Sequence, residues 1–170
     1  MKIESFSNDF NDVKIASGVY FEDNRGSLKK TMYGDELNKI MEIKEVIMSS
    51  SHKNVIRGLH YQSEPYEIKK FVSCVYGEIL DVFVNVNKKS EQYKSYSSLN
   101  LKGDDDKALL IPHGYAHGYS VLSEFAIVVY LQSENYVPES EINFHPLSLS
   151  IDWQVVNPII SDKDSTAPFI

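Results

Sequence analysis

Apolar and polar residues alternate along this chain in short runs, and each run stops at turn residues well before the length of a helix. Lys69 to Tyr76 is rich in Phe, Val and Tyr, and Ile79-Leu80-Asp81-Val82-Phe83-Val84-Asn85-Val86 follows after Gly77-Glu78. Two β-type runs about a tight glycine-containing turn predict a hairpin. Further strands are predicted at Lys107 to Ile111, Gly118 to Leu122 and Ala126 to Gln132, with weaker patterns over Val13 to Phe21 and Glu45 to Ser50. Polar segments such as Asn85 to Ser90 and Lys102 to Asp106 fall at the intervals of an all-β barrel or sandwich. One helix is predicted over Asp35 to Met41, where Leu37, Ile40 and Met41 share a face behind an acidic first turn. A second short helical or irregular patch is predicted near the C-terminus. With no internal repeat, low-complexity tract or linker, residues 1–170 read as a single, mostly β domain with minor helices.

Composition narrows the partners. The formal net charge is −7, and a protein that neutralises many phosphates needs a basic face, so nucleic acid is a poor fit. An acidic total still allows a few Arg and Lys to gather around one pyrophosphate. The single cysteine, Cys74, lies in the apolar run Phe71 to Val75 and reads as a packing residue. No segment approaches the ~20 apolar residues that cross a bilayer, and the N-terminal residues lack a signal-peptide pattern, so the chain reads as soluble and cytoplasmic.

Two of the five histidines sit in unusual company. Arg57-Gly58-Leu59-His60-Tyr61-Gln62 puts a cation three residues before an imidazole, with Lys70 ten residues further on. Neighbouring strand residues point to opposite faces, so if Leu59 enters an apolar layer, His60 faces the other side, the lumen of a barrel. Cations beside an imidazole suit a site for a dianion and favour a neutral, proton-accepting ring. In Ile111-Pro112-His113-Gly114-Tyr115-Ala116-His117-Gly118-Tyr119 a tight turn delivers His117 to the start of a strand. A lone histidine in such settings is more often structural than catalytic, and it is the neighbours that raise His60 above that background. A metal cluster of His60, Glu67 and His117 is disfavoured, because the residue two after His60 is Gln62, a weak ligand. The expectation is no metal.

These motifs resemble the dTDP-4-dehydrorhamnose 3,5-epimerase family. The resemblance rests on Arg57 to Gln62, the segment Val75-Tyr76-Gly77-Glu78-Ile79-Leu80-Asp81-Val82, and Ile111 to Gly118. It continues through Tyr130, Tyr136-Val137-Pro138-Glu139-Ser140-Glu141, Ile151-Asp152-Trp153 and Ser161-Asp162-Lys163-Asp164, covering roughly Gly18 to Asp164. It implies a cupin-type jelly-roll barrel, a homodimer, and a reaction that needs neither metal nor organic cofactor. It also implies that His60 abstracts the proton with Asp164 as its carboxylate partner, that Tyr130 returns a proton from the opposite face, and that Lys70 stabilises the enolate oxygen. Arg25 and Arg57 then hold the pyrophosphate of a nucleotide-linked 4-keto sugar, His117 lines the sugar pocket, and Tyr136 and Glu141 bind substrate. The chemistry needs such a set: hydrogens at C3 and C5 flank the C4 ketone, and inversion requires removal on one face and return on the other. Without the resemblance, Tyr130 reads as one buried strand tyrosine among 11.

The chain departs from the family at the positions that read the base. After Asn24-Arg25-Gly26 it has Ser27-Leu28-Lys29-Lys30 where thymidine-binding members carry aromatic and acidic residues, and Met48-Ser49-Ser50-Ser51-His52 replaces a Gln/Asn cluster. The departures point to GDP or CDP in place of dTDP. Asp35-Glu36-Leu37 and Cys74 to Glu78 also resemble relatives acting on GDP-linked 6-deoxy-4-keto-heptoses in bacterial capsule synthesis. Alternatives are an epimerase restricted to C3 or C5, a 3,4-ketoisomerase on the same barrel, and a cupin that binds sugar without turnover. Retention of both His60 and Tyr130 argues for epimerisation.

Overall fold

A computed structural model of the chain describes residues 2–31 and 34–170. One sheet joins β1 (Lys2–Ser5), β2 (Lys14–Ser17), β10 (Lys107–Ile111), β7 (Lys70–Tyr76), β12 (Phe125–Gln132) and β5 (Glu45–His52), in that order. The other joins β13 (Glu141–Asn143), β6 (Ile56–Gln62), β11 (Tyr115–Val121), β8 (Glu78–Asn85) and β9 (Tyr96–Lys102). Antiparallel pairs form between β5 and β12, β6 and β11, β7 and β10, and β8 and β9. Such nesting of pairs is the jelly roll, so the expected all-β, cupin-type barrel with minor helices is the fold observed.

The turn predicted to close a hairpin does something else. β7 and β8 belong to different sheets, and Gly77 between them is a corner from one sheet to the other. Its φ of +76° is a left-handed conformation, and a Cβ there would lie 2.1 Å from the carbonyl oxygen of Phe125. Only glycine passes the corner. Local periodicity registers both strands but not which partner each takes, because that depends on which faces have to be buried together.

Alternation along the strands sorts side chains into two apolar layers. Inward-facing Val72, Cys74, Ile79, Phe83, Leu109, Tyr115, Val121 and Val128 form the barrel core. At one end Phe6 and Phe10 meet Phe83 edge to face, with ring centroids 4.9 and 5.3 Å away, closing that end with aromatic contacts. On the outer face of the five-stranded sheet, Leu59, Leu80, Val82, Val84 and Ala116 are covered by Ile151 and Trp153. Leu59 is thus in the outer layer and His60 faces the lumen side, as the strand parity predicted. Cys74 is buried and free.

The predicted helix over Asp35 to Met41 is shorter than expected. α1 spans Gly34–Asn38, and the amides of Ile40 and Met41 both donate to the Leu37 carbonyl, which closes it. Leu37 and Met41 still pack on Phe71 and Leu110 of the six-stranded sheet. The patch predicted near the C-terminus is α2 (Asp162–Ser165), with Ser161 as its cap accepting from the Asp164 amide at 3.1 Å. Apart from both sheets, β3 (Val19–Asp23) and β4 (Gly26–Lys30) form a hairpin of their own. Phe21 and Leu28 sit opposite one another on it, and both are exposed.

Candidate active site

A cavity of about 660 Å³ opens between the sheets, well within the range of small-molecule sites. Ile47 and Ser49 of β5, Lys70 of β7, and Tyr130 and Gln132 of β12 line one side. Arg57, His60 and Gln62 of β6, His117 of β11 and Glu141 of β13 line the other, and Ile159, Ile160, Ser161, Lys163 and Asp164 border it. Two glycines bring the His60 and His117 strands together. A Cβ on Gly58 would lie 2.5 Å from the Gly118 Cα, and the register shifts between His117 and Tyr119. His60 and His117 stand opposite one another as a result.

His60 Nε2 lies 2.6 Å from Asp164 Oδ1. Burial works to raise the Asp164 carboxyl, but the His60 hydrogen bond and charge, the Gly58 amide and the Ser161 hydroxyl outweigh it and hold Asp164 below the usual range. An ionised carboxylate only accepts, so His60 donates from Nε2, and in the neutral form of the ring this bond leaves the lone pair on Nδ1.

A second imidazole–carboxylate pair lies deeper. His117 Nε2 donates to Asp81 Oδ2 at 2.8 Å, and both residues are buried, Asp81 at 0% exposure. Burial, helped by the charges of Lys70 and His60, lowers the His117 pKa against the pull of Asp81, leaving it neutral. Asp81 Oδ1 has no hydrogen-bond partner among the described residues. The family motifs and histidine patterns assign no role to Asp81, although a carboxylate inside the apolar run Ile79 to Val86 is itself a signal, since a buried charge needs a partner.

Lys70 donates to the His60 carbonyl at 3.2 Å. Burial pulls its ammonium down to about 8, with Asp81 and Glu141 working to raise it. An ammonium in such a cavity can stabilise a developing oxyanion, and its charge is lost as pH rises through that value. The basic limb of kcat/KM is therefore expected near pH 8 and should move to higher pH in Lys70→Arg, whose guanidinium stays protonated. A wild-type profile flat from about pH 7 to 9.5 would remove Lys70 from this role.

The Tyr130 ring meets His117 edge-on at 5.8 Å. Burial, reinforced by Tyr119 and Asp81, holds its phenol well above the ordinary tyrosine range, so its proton stays in place at neutral pH. Arg57 is oriented by Ser51, which accepts from its Nε at 2.9 Å, while Ser51 also bonds the Tyr119 hydroxyl at 3.0 Å. At the cavity edge, Glu141 Oε2 accepts from Tyr136 Oη at 2.8 Å and from Lys163 Nζ at 2.5 Å. In the sequence, the one signal for Lys163 is its adjacency to Asp164.

Eight of the nine predicted site residues thus converge on one cavity: His60, Tyr130, Asp164, Lys70, Arg57, His117, Tyr136 and Glu141. Arg25 does not line it. It sits at the tip of the β3–β4 hairpin, its side chain 85% exposed and paired with Asp23. Glu67 is also outside, its carboxylate 3.5 Å from His113 Nδ1. Among the described residues no group of three or more His, Cys, Asp or Glu is arranged to hold a metal ion. No helix among them is long and apolar enough to cross a membrane.

A jelly-roll barrel holding a carboxylate-backed imidazole, a cation and a protonated phenol in one cavity defines a sugar epimerase of the proton-transferring class. The family model described as dTDP-4-dehydrorhamnose 3,5-epimerase matches residues 7–170, and the chain belongs to that family. It is 38% identical over 159 residues to the dTDP-4-dehydrorhamnose 3,5-epimerase of Shigella flexneri, covering 90% of this chain and 88% of that one. The dTDP-6-deoxy-D-glucose-3,5-epimerase of Legionella pneumophila Philadelphia 1, solved with dTDP-4-keto-L-rhamnose, superposes with a TM-score of 0.91 at 31% identity, covering 99% and 92% of the two chains. A 4-keto-6-deoxy sugar epimerase from the novobiocin gene cluster of Streptomyces spheroides gives 0.92 at 27% identity, with 99% and 87% covered.

Proposed function

We propose that this epimerase inverts C3 and C5 of a dTDP-linked 4-keto-6-deoxy sugar. His60 Nδ1 removes the proton next to the C4 ketone, Asp164 steadies the imidazolium that forms, and Lys70 stabilises the enolate oxygen. Tyr130 then donates from the other side of the ring. The observation that carries this reading is that His60 and Tyr130 line one cavity from facing sheets, on β6 and β12. Arg57 and Lys163 are the cations for the pyrophosphate, and Tyr136 offers an exposed ring for the base. Binding alone does not require a base and an acid on opposite walls, and a ketoisomerase does not require return of the proton to the opposite face.

The choice of dTDP follows the Shigella and Legionella relatives. A second reading, GDP or CDP in its place, is favoured by Ser27-Leu28-Lys29-Lys30, which offers no ring for stacking and whose Lys29 is engaged by the Cys74 and Lys102 carbonyls at 3.0 and 3.2 Å. Incubation with dTDP-, GDP- and CDP-linked 4-keto-6-deoxy sugars in D₂O separates the readings. Deuterium at C3 and C5 is expected with the dTDP sugar. Exchange confined to the GDP or CDP sugar would give the second reading, C3 alone a mono-epimerase, and none with any sugar a binding protein.

The enzyme is further proposed to act as a homodimer, in which Arg25 reaches the partner's cavity to meet the pyrophosphate. Supporting this are the free-standing β3–β4 hairpin, exposed Phe21 and Leu28 on it, and exposed Val46 and Met48 on the edge strand β5. An apolar, unpaired edge is a liability unless covered. Light scattering is expected to return twice the 19.4 kDa chain mass, and a monomer would count against it.

A further inference from the structure

Asp164 reaches His60 from 104 residues away, on a helix of only four residues. A single helical turn does not hold itself in water, because nucleation fixes several dihedrals for very few hydrogen bonds. Apart from the direct contacts of Asp164 with the Gly58 amide and His60, its position comes from its flanks. Upstream, Ile159 forms a parallel bridge with Val55, accepting from the Ile56 amide at 2.9 Å and donating to the Asn54 carbonyl at 2.8 Å.

Downstream, the anchor is the segment after β13. The His145 amide donates to the Pro168 carbonyl at 2.8 Å, and the Ile170 amide donates to Ser148 Oγ at 3.3 Å. The Phe169 ring lies flat on the His145 imidazole, centroids 4.4 Å apart and planes 8° from parallel. Phe169 is 65% exposed, so burial gives little reason for a phenyl ring there. The contact closes a mechanical circuit. β13 pairs with the strand that carries His60, with Asn143 opposite His60 and Leu59 and Phe144 exchanging backbone bonds at 3.1 and 2.9 Å. The chain runs on to His145, crosses to Phe169, returns through α2 to Asp164, and ends 2.6 Å from His60. Both members of the pair are thereby referred to the same sheet edge.

From this circuit we infer that Phe169, through its stack on His145, is a positioning residue that holds Asp164 against His60. The inference rests on the proposed role of His60 and Asp164 as the proton-abstracting pair. Misplacing a catalytic group by about 1 Å costs up to about 10²-fold, so Phe169→Ala should lower kcat by about 10-fold or more while KM stays within about two-fold. Phe169→Leu, which keeps apolar bulk and loses the ring stack, should do the same, and Phe169→Tyr should restore kcat. His145→Ala should fall at least as far as Phe169→Ala, since it also removes the acceptor of the Leu147 amide, and the double variant should fall no further than His145→Ala, because the stack has been removed twice. Wild-type kcat in either Phe169→Ala or Phe169→Leu, additive losses in the double variant, or no rescue by tyrosine would overturn the inference. Asp164→Asn, assayed alongside, separates the two levels. Full activity in Asp164→Asn overturns the pair itself, whereas loss there with full activity in Phe169→Ala overturns only the clamp.

Discussion

Replacing His60 by alanine should lower kcat by about 10²–10⁴-fold, the usual cost of losing a general base, and leave the barrel folded. His60 faces the cavity rather than either apolar layer, so its truncation opens no hole in packed core. It does leave the Asp164 carboxylate without its 2.6 Å partner, so a modest loss of stability should accompany the loss of activity. That loss has a pH signature. The folded-state pKa of Asp164 lies below its ordinary value, so the stability it contributes is present above that ordinary value and lost as pH falls through the lowered one. His60→Ala should therefore differ from wild type in melting temperature near neutrality and converge with it under acidic conditions. Turnover by the nucleotide-sugar assay and melting by circular dichroism across pH check both parts. Wild-type-like turnover in folded His60→Ala would end the assignment of His60 as the base.

Tyr130→Phe should separate exchange from inversion. Losing only the hydroxyl leaves His60, Lys70 and Asp164 unchanged, so abstraction and return on the His60 side continue, and deuterium should still enter at C3. Product formation should fall by about 10²-fold or more, the scale of losing a general acid. Burial, with Tyr119 and Asp81, raises the phenol's pKa well above its ordinary range, so it is protonated at neutral pH, and the charge of Arg57 is what works to ease loss of that proton. The ring itself packs against the barrel core, so removal of the oxygen alone should disturb little. Mass spectrometry counts the deuterium and proton NMR locates it. Equal loss of exchange and product would mean that Tyr130 shapes the pocket instead of delivering the proton.

The two predictions draw on different kinds of information. His60 was legible along the chain: a strand whose Leu59 is apolar turns the next residue to the other face, and Arg57 and Lys70 supplied the unusual company. Tyr130 was not legible that way, since it reads as any buried strand tyrosine and came forward only through the family resemblance.

What the linear order of residues determined here is what depends on near neighbours. Alternation located β5, β7, β8, β10 and β12 to within a few residues, Gly77 marked a sharp reversal, and Leu37, Ile40 and Met41 marked the face that α1 and the residues after it lay on the sheet. Strand parity, which turned His60 away from Leu59, needed nothing beyond a few positions either side. The tertiary structure alone decided that the reversal at Gly77 is a corner between sheets and that Asp81 is the partner of His117. It also decided that Ser51 aims Arg57, and that Arg25 lies on a separate hairpin outside the cavity its own chain forms. The reason is physical. Periodicity states which side of a strand is apolar, but which apolar sides meet is settled when all the layers are buried at once, and a 2.6 Å contact between residues 104 apart exists only after that packing has brought them together.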